Sequence, residues 1–296
     1  MARWQAEFVR KQLFQLSGVD AEIVIITTSG DKLPQSQLTQ IGGKGIFIKE
    51  LEEALIDETV DLAVHSVKDI PTETPGRLFF PAVCRRDDVR DCLISHKGAT
   101  LANLKPGARV GTGSLRRQAQ LLHYRRDLDF RDLRGNIDTR LRKVESGEYD
   151  AIVLSKAGLD RLGWSQKISE VISTELSLPA VGQGAIAVES RVKDVEAAQI
   201  LEKLDDLETR TAIMAERSLM AALHGGCQVP LGAWARIERG ELIMEAMVCS
   251  VDGQQFIREH GSAPPDQAVQ LGEHMAQLLT AGGAQNILEE VQRPRG

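Results

Sequence analysis

The chain has 296 residues, 42% of them hydrophobic and 26% charged, with a formal net charge of −6. That length exceeds one small core and predicts two or three domains. The acidic balance excludes a protein that grips nucleic acid through a broad basic surface. The cysteines Cys84, Cys92, Cys227 and Cys249 lie far apart with no CxxC pair, so neither a disulfide framework nor a zinc site is predicted and no metal is expected. A reducing cytoplasm is the simplest setting. The opening MARWQAEFVRKQLFQL lacks the apolar centre of a secretory signal. No apolar run approaches the ~18 residues of a membrane span, and no fixed-period repeat is visible.

In chain order, Trp4, Phe8, Val9, Leu13 and Leu16 fall on one helical face. EIVIITT (22–28) reads as a β-branched strand, and 46–57 has helical spacing through Ile46, Leu51, Leu55 and Ile56. DLAVHSV (61–67) reads as a buried strand stopped by Asp69-Ile70-Pro71, followed by strands at LFFPAVC (78–84) and DCLIS (91–95). This alternation predicts a mainly parallel sheet. The pattern restarts near residue 100: strand 108–114, a helix capped by Ser114, strand 127–133, a helix opened by Asn136, strand 150–154 and a helix over 157–162. LPAVGQGAIAVES (178–190) has the Pro and Gly of a crossover. A long helix over 206–223 ends at His224-Gly225-Gly226-Cys227, and alternating strands with a final helix from about Pro265 make a small α+β domain.

Between Arg109 and Arg142 stand nine arginines against four aspartates, a local formal charge of +5 in an acidic chain. Guanidinium forks match carboxylates and phosphates, so the stretch suggests an anion site for a ligand with several acidic groups. The alternative is a solvated helix face with ordinary ion pairs. GTGSLRR (111–117) concentrates the signal, with a glycine turn, a serine cap and two arginines at a helix N-terminus. GGKG (42–45) could hold an anion through Lys44 but lacks the spacing of a nucleotide-binding P-loop.

Asp69 stands at a strand end, a common position for an active-site acid or base, although a turn-capping aspartate fits equally well. His65 and Ser66 are not a hydrolase pair, because successive strand side chains point to opposite faces. Cys227 lies in the open loop HGGCQVP. Locally it reads as a partly buried loop cysteine or as a nucleophile or covalent attachment point.

The runs GGKGIFIKELE (42–52), DLAVHSVKDIP (61–71), GTGSLRRQAQL (111–121), LRGNIDTRL (133–141), YDAIVLSKAGLDRLG (149–163), LPAVGQGAIAVE (178–189) and GGCQVPLGA (225–233) are collinear over nearly the whole chain. Together they resemble the porphobilinogen deaminase (hydroxymethylbilane synthase) family. The resemblance implies an α/β protein of two periplasmic-binding-protein-like lobes with a small α+β C-terminal domain. The first lobe would take 1–86 with 184–203, the second 87–183, and the C-terminal domain 204–296.

The implied reaction is a transfer in tetrapyrrole biosynthesis. Four porphobilinogen units join head to tail on a dipyrromethane primer, each releasing ammonia, and the linear hydroxymethylbilane is then freed by hydrolysis. Each added ring brings two carboxylates, which would explain the arginines. By resemblance Cys227 carries the dipyrromethane as a thioether, held by Ser66, Lys68, Thr112, Ser114, Arg116 and Arg117. Arg134, Arg140, Arg161 and Gln183 would bind the substrate arms, and Lys44 and Phe47 would belong to a loop covering the cleft. Asp69 would act as acid and base and stabilise the electron-poor azafulvene left by ammonia. Arg125, Arg126 and Arg131 have no motif support and read as surface charge. A cytoplasmic monomer is expected.

Family members begin with a strand and an A-T-R-x-S-x-L-A segment before W-Q-A. Here Met1-Ala2-Arg3 runs directly into Trp4-Gln5-Ala6, which leads to the expectation of a missing first strand, lower stability and weak cofactor retention. The rival reading is a cytosolic two-lobed anion- or small-molecule-binding protein without catalysis. It would share the arginine-lined cleft but leave GGCQVP unexplained, and it would release no ammonia.

Overall fold

The computed structural model describes residues 1–28, 48–72, 74–223 and 229–292. It contains three sheets. The first holds β1 (Ala63–Ser66), β2 (Leu78–Val83) and β8 (Ile186–Arg191) in the order β1-β8-β2, every pairing antiparallel. Helices α1 (Ala2–Ser17), α2 (Lys49–Ile56) and α6 (Val195–Leu201) belong to this lobe. Val9 and Leu13, one turn apart on α1, pack with Ala82, Ile186, Val188 and Leu201. Gln5 shares that buried face and donates to Ser66 Oγ at 2.7 Å, whereas Leu16, in the last turn, stays 49% exposed. Gly18, at φ 74°, stops the helix by returning its amide to the Phe14 carbonyl.

The expected strand at 22–28 is not formed. Among the described residues it pairs with no strand, and Val24 and Ile25 are exposed. β-branched composition supplies no ladder partner, and strand preference is largely the context in which the residues pack.

The second sheet runs β5-β4-β6-β3-β7, formed by β3 (Asp91–Ser95), β4 (Arg109–Gly111), β5 (Asp129–Arg131), β6 (Ala151–Ser155) and β7 (Glu170–Val171). Only β5-β4-β6 is parallel; β3 is antiparallel to both β6 and β7. The mainly parallel expectation is therefore corrected in both sheets. β3 and β8 enter from the other lobe, and such strands are not bound to the direction a local βαβ crossover imposes. β6 is apolar from Ala151 to Leu154 because both its faces are covered there: Ala151 and Val153 face one core, Ile152 and Leu154 the other. Ser114 and Asn136 cap α3 (Leu115–Tyr124) and α4 (Ile137–Glu145), accepting from the Arg117 and Thr139 amides. α5 (Lys156–Arg161) follows β6.

The third sheet is an antiparallel meander of β9 (Leu231–Glu238), β10 (Glu241–Cys249) and β11 (Phe256–Ala263). Alternation along β10 splits its side chains. Leu242, Met244, Ala246 and Val248 pack under α7 (Leu207–Ala222), α8 (Ala268–Ala281) and α9 (Ala284–Gln292), while Met247 and Cys249 meet Ala119 of α3 and Leu178. The meander thereby docks on the second lobe.

The lobes are joined by crossovers at 84–90 and 172–185. These touch where the Asp87 amide donates to the Gly184 carbonyl at 3.1 Å. Gly184, at φ 91°, has no room for a side chain: a Cβ would stand 2.7 Å from the Asp87 carbonyl oxygen. Among the described residues no helix is long and apolar enough to cross a membrane.

α8 crosses α7 at close range: a Cβ at Gly272 would collide with the Ala215 carbonyl oxygen. Gly272→Ala is expected to destabilise the chain by roughly 1–3 kcal/mol through overpacking, seen as a lower urea midpoint at unchanged slope. An unchanged midpoint would mean the crossing has slack.

Candidate active site

β1 hands over to a single 3-10 turn, Val67–Asp69, closed by the Ile70 amide on the Val67 carbonyl. Alternation sends His65 inward, with Nε2 2.9 Å from Glu189 Oε2, and turns Ser66 the other way toward Gln5. The turn then carries Lys68 and Asp69 out at the sheet end. Asp69 is exposed, and burial pushes the half-buried Lys68 ammonium below its usual pKa despite the neighbouring Asp69.

Facing them is the start of α3. Arg116 and Arg117 are buried, at 4% and 7% exposure, and both point at Asp91. Arg116 Nη1 lies 2.8 Å from Asp91 Oδ2, and Arg117 Nε and Nη2 lie 2.9 and 2.8 Å from Oδ1. Burial alone would raise the Asp91 pKa; the two guanidiniums overcome it and hold the carboxyl well below the usual range. Gln183 also enters this cluster, donating to Asp91 Oδ1 at 2.9 Å and to the Val89 carbonyl at 2.7 Å. One donor there lacks a partner: Arg116 Nε is buried and makes no hydrogen bond among the described residues.

The remaining expected residues are placed differently. Arg140 lines the cleft and, among the described residues, donates to the Gly135 carbonyl at 2.7 Å; burial lowers its pKa, with Arg117 and Arg134 adding to the effect. Arg161 reaches both crossovers, with Nε 2.8 Å from Asp87 Oδ2 and Nη2 2.8 Å from the Gly184 carbonyl, and lies over the Trp4 ring. Arg134 is held by Asp132 at 2.8 Å. Thr112 is buried, its hydroxyl accepting from the Ser114 amide rather than lining the cavities. Lys44, Phe47 and Cys227 lie outside the described residues.

Most of the other arginines in the cationic run are neutralised locally. Arg109, Arg125, Arg131 and Arg142 pair with Asp150, Asp127, Asp129 and Asp138. Arg125 is more than surface charge, since its fork also holds the carbonyls of Leu101, Ala102 and Leu104.

Two cavities share Lys68, Asp69, Arg117 and so form one cleft. The smaller, about 180 Å³, adds Ser114, Arg116, Gln183, Met220 and Val229. The larger, about 440 Å³, adds Ser66, Arg140, Arg161 and Gly184. The lining offers several cations together with the exposed carboxylates of Asp69 and, in the larger cavity, Asp138, which pairs with Arg142; the cationic set suits a ligand with several acidic arms. Sequence reading missed Asp91, Arg86 and Glu216. Arg86 grips Glu216 with both fork nitrogens, at 2.6 and 3.1 Å, and Glu216 also accepts from the amides of Gly182 and Ala235 at 2.7 and 2.9 Å. The only local sign of Asp91 is an acid opening a strand whose next three residues, Cys92, Leu93 and Ile94, are apolar.

The family model described as "Porphobilinogen deaminase, dipyromethane cofactor binding domain" matches residues 1–199, and that for the porphobilinogen deaminase C-terminal domain matches 210–281. The chain is 48% identical to a porphobilinogen deaminase of Syntrophotalea carbinolica over 97% of this chain and 92% of that one. It is 46% identical to one of Desulforamulus reducens over 99% and 95%. Among solved structures, the Bordetella pertussis BvgS VFT2 domain is similar at a TM-score of 0.41 and 16% identity, over 68% of this chain and 76% of that one.

Because the folded-state pKa of Asp91 is depressed, its contribution to stability is complete above the ordinary carboxylate pKa of about 4 and is lost as pH falls below it. The difference in unfolding free energy between wild type and Asp91→Asn is expected to be equal at about pH 7 and 5 and smaller at about pH 3. A difference that persists unchanged in acid contradicts an ionised Asp91.

Proposed function

The chain belongs to the porphobilinogen deaminase family, and on that premise we propose which of its residues carry the reaction. The enzyme is a transferase of tetrapyrrole biosynthesis that polymerises porphobilinogen, and its larger family domain is the one that binds the dipyrromethane cofactor. When bound, that group supplies the nucleophilic pyrrole carbon on which the chain grows.

The observation that carries the assignment is the convergence of Asp69, Lys68, Arg116 and Arg117 on one cavity that also reaches Val229, two residues beyond Cys227. Cys227 is the attachment point for the dipyrromethane. Arg116, Arg117, Lys68 and Ser114, which line the smaller cavity, hold its acetate and propionate arms. Ser66 borders the larger cavity, and Thr112 supports the site through the Ser114 amide. Arg140 and Arg161 bind the arms of incoming porphobilinogen. Arg134 joins them once released from Asp132, and Gln183 acts through Arg117 and Asp91. Lys44 and Phe47 belong to the covering loop.

Asp69 is the exposed acid that lines both cavities. It moves protons as ammonia departs and as the new bond re-aromatises, and its carboxylate offsets the positive charge on the electron-poor substrate ring. After four additions the product is hydrolysed to hydroxymethylbilane. Residues 1–86 with 184–203 form the lobe bearing Asp69, 87–183 the arginine lobe, and 204–296 the cofactor-attachment domain. The enzyme works as a cytoplasmic monomer; burial pushes the thiols of Cys84 and Cys92 up to about 11 and about 12, which suits cysteines that remain reduced.

Asp69→Asn is expected to lower turnover by about 10²–10⁴-fold while leaving the thermal midpoint near that of wild type. Near-normal ammonia release would remove Asp69 from the mechanism. Intact-mass analysis with peptide mapping should find two porphobilinogen-derived pyrroles on Cys227, absent from Cys227→Ser; a modification at another residue would relocate the attachment.

A further inference from the structure

One fully buried carboxylate beside the cleft is not itself among the groups assigned to the chemistry. Asp91 has no exposure and opens β3 directly after the outgoing crossover. Four side chains converge on it. Arg116 and Arg117 come from α3, while Gln183 and Ser177, whose Oγ lies 3.1 Å from Oδ2, come from the return crossover. Gln183 is itself fastened to the outgoing crossover: its side-chain amide donates to the Val89 carbonyl, and its backbone carbonyl accepts from Arg86 Nε at 2.8 Å. The two guanidinium tips are thus tied to both lobe connections as well as to the helix that bears them.

We propose that Asp91 is a positioning residue for the reaction: a carboxylate behind the cleft that fastens the Arg116 and Arg117 guanidinium groups to the two crossovers and so presents their remaining donors to the carboxylate arms of the primer and the growing chain. The role rests on the assignment of those arginines to the arms. A carboxylate offers about four acceptor sites and no donor, which matches four converging donor side chains; an asparagine would turn an NH₂ against a guanidinium. Two cations on one anion leave a surplus positive charge for the ligand. Anchoring beforehand removes the rotamer freedom that two long side chains would otherwise lose on binding.

The test compares wild type, Arg117→Gln, Asp91→Asn, the double variant and Ser177→Ala. It reads the fraction of purified chains carrying the dipyrromethane mass, the KM and kcat of the loaded fraction, and the thermal midpoint. Asp91→Asn is expected to load about fivefold less and to raise KM about tenfold, with the double variant no worse than Arg117→Gln alone. That non-additivity is what a purely structural carboxylate would not produce. Wild-type loading and KM in Asp91→Asn, or effects that multiply in the double variant, overturn the proposal. If Asp91→Asn does not fold, Ser177→Ala perturbs the same carboxylate without removing a buried charge; a KM raised about threefold then supports the role and an unchanged KM overturns it. Full loading and normal KM in Arg117→Gln would instead overturn the arginine assignment, and this proposal with it.

Discussion

A carboxylate buried without partners would cost several kcal/mol, far more than a surface ion pair returns. Asp91 is tolerated because two guanidiniums, an amide and a hydroxyl reach it together. Satisfying it requires α3 to point its first turn at the start of β3 and the return crossover to pass alongside. It also brings Val89 and Gln183 together across the lobe junction. Gly184 then has to be a glycine, since the crossovers run too close for a side chain. The lobe arrangement and the cationic floor of the cleft therefore follow from one electrostatic constraint.

That constraint also decides which charges are available to a ligand. Asp91 offsets only part of the Arg116 and Arg117 charge, and Lys68 stands beside them. Arg140 forms no ion pair among the described residues, and burial with Arg117 and Arg134 nearby makes its protonated state less favourable. An anionic arm entering the cleft relieves that cost, which is a stronger reason for binding than a count of arginines. Arg131 and Arg142 add nothing comparable, being paired and exposed at the surface.

The C-terminal domain is tied to the same junction through Glu216. This buried carboxylate of α7 takes Arg86 from one crossover, the Gly182 amide from the other and the Ala235 amide from β9. The segment carrying Cys227 leaves the end of α7 and re-enters the described structure at Val229, in the wall of the smaller cavity.

Much of this was legible in the residues because it depends on local chemistry. The Ser114 and Asn136 caps, the doubly buried run of β6, the opposite facing of His65 and Ser66, and the collinear motifs all follow from short-range pattern and turn preference. Strand direction did not, because β3 and β8 are antiparallel through the way the chain passes between lobes, and the 22–28 run pairs with no strand among the described residues. Nor could sequence separate arginines that serve the cleft from those that serve an aspartate two residues away. Asp91 looks like any strand-opening acid until Arg116, Arg117, Ser177 and Gln183 are folded around it. By itself the sequence determined the family, the local elements and the types of group available for chemistry. Only the tertiary structure decided which charges neutralise one another, because a Coulomb interaction depends on separation and burial in three dimensions, not on spacing along the chain.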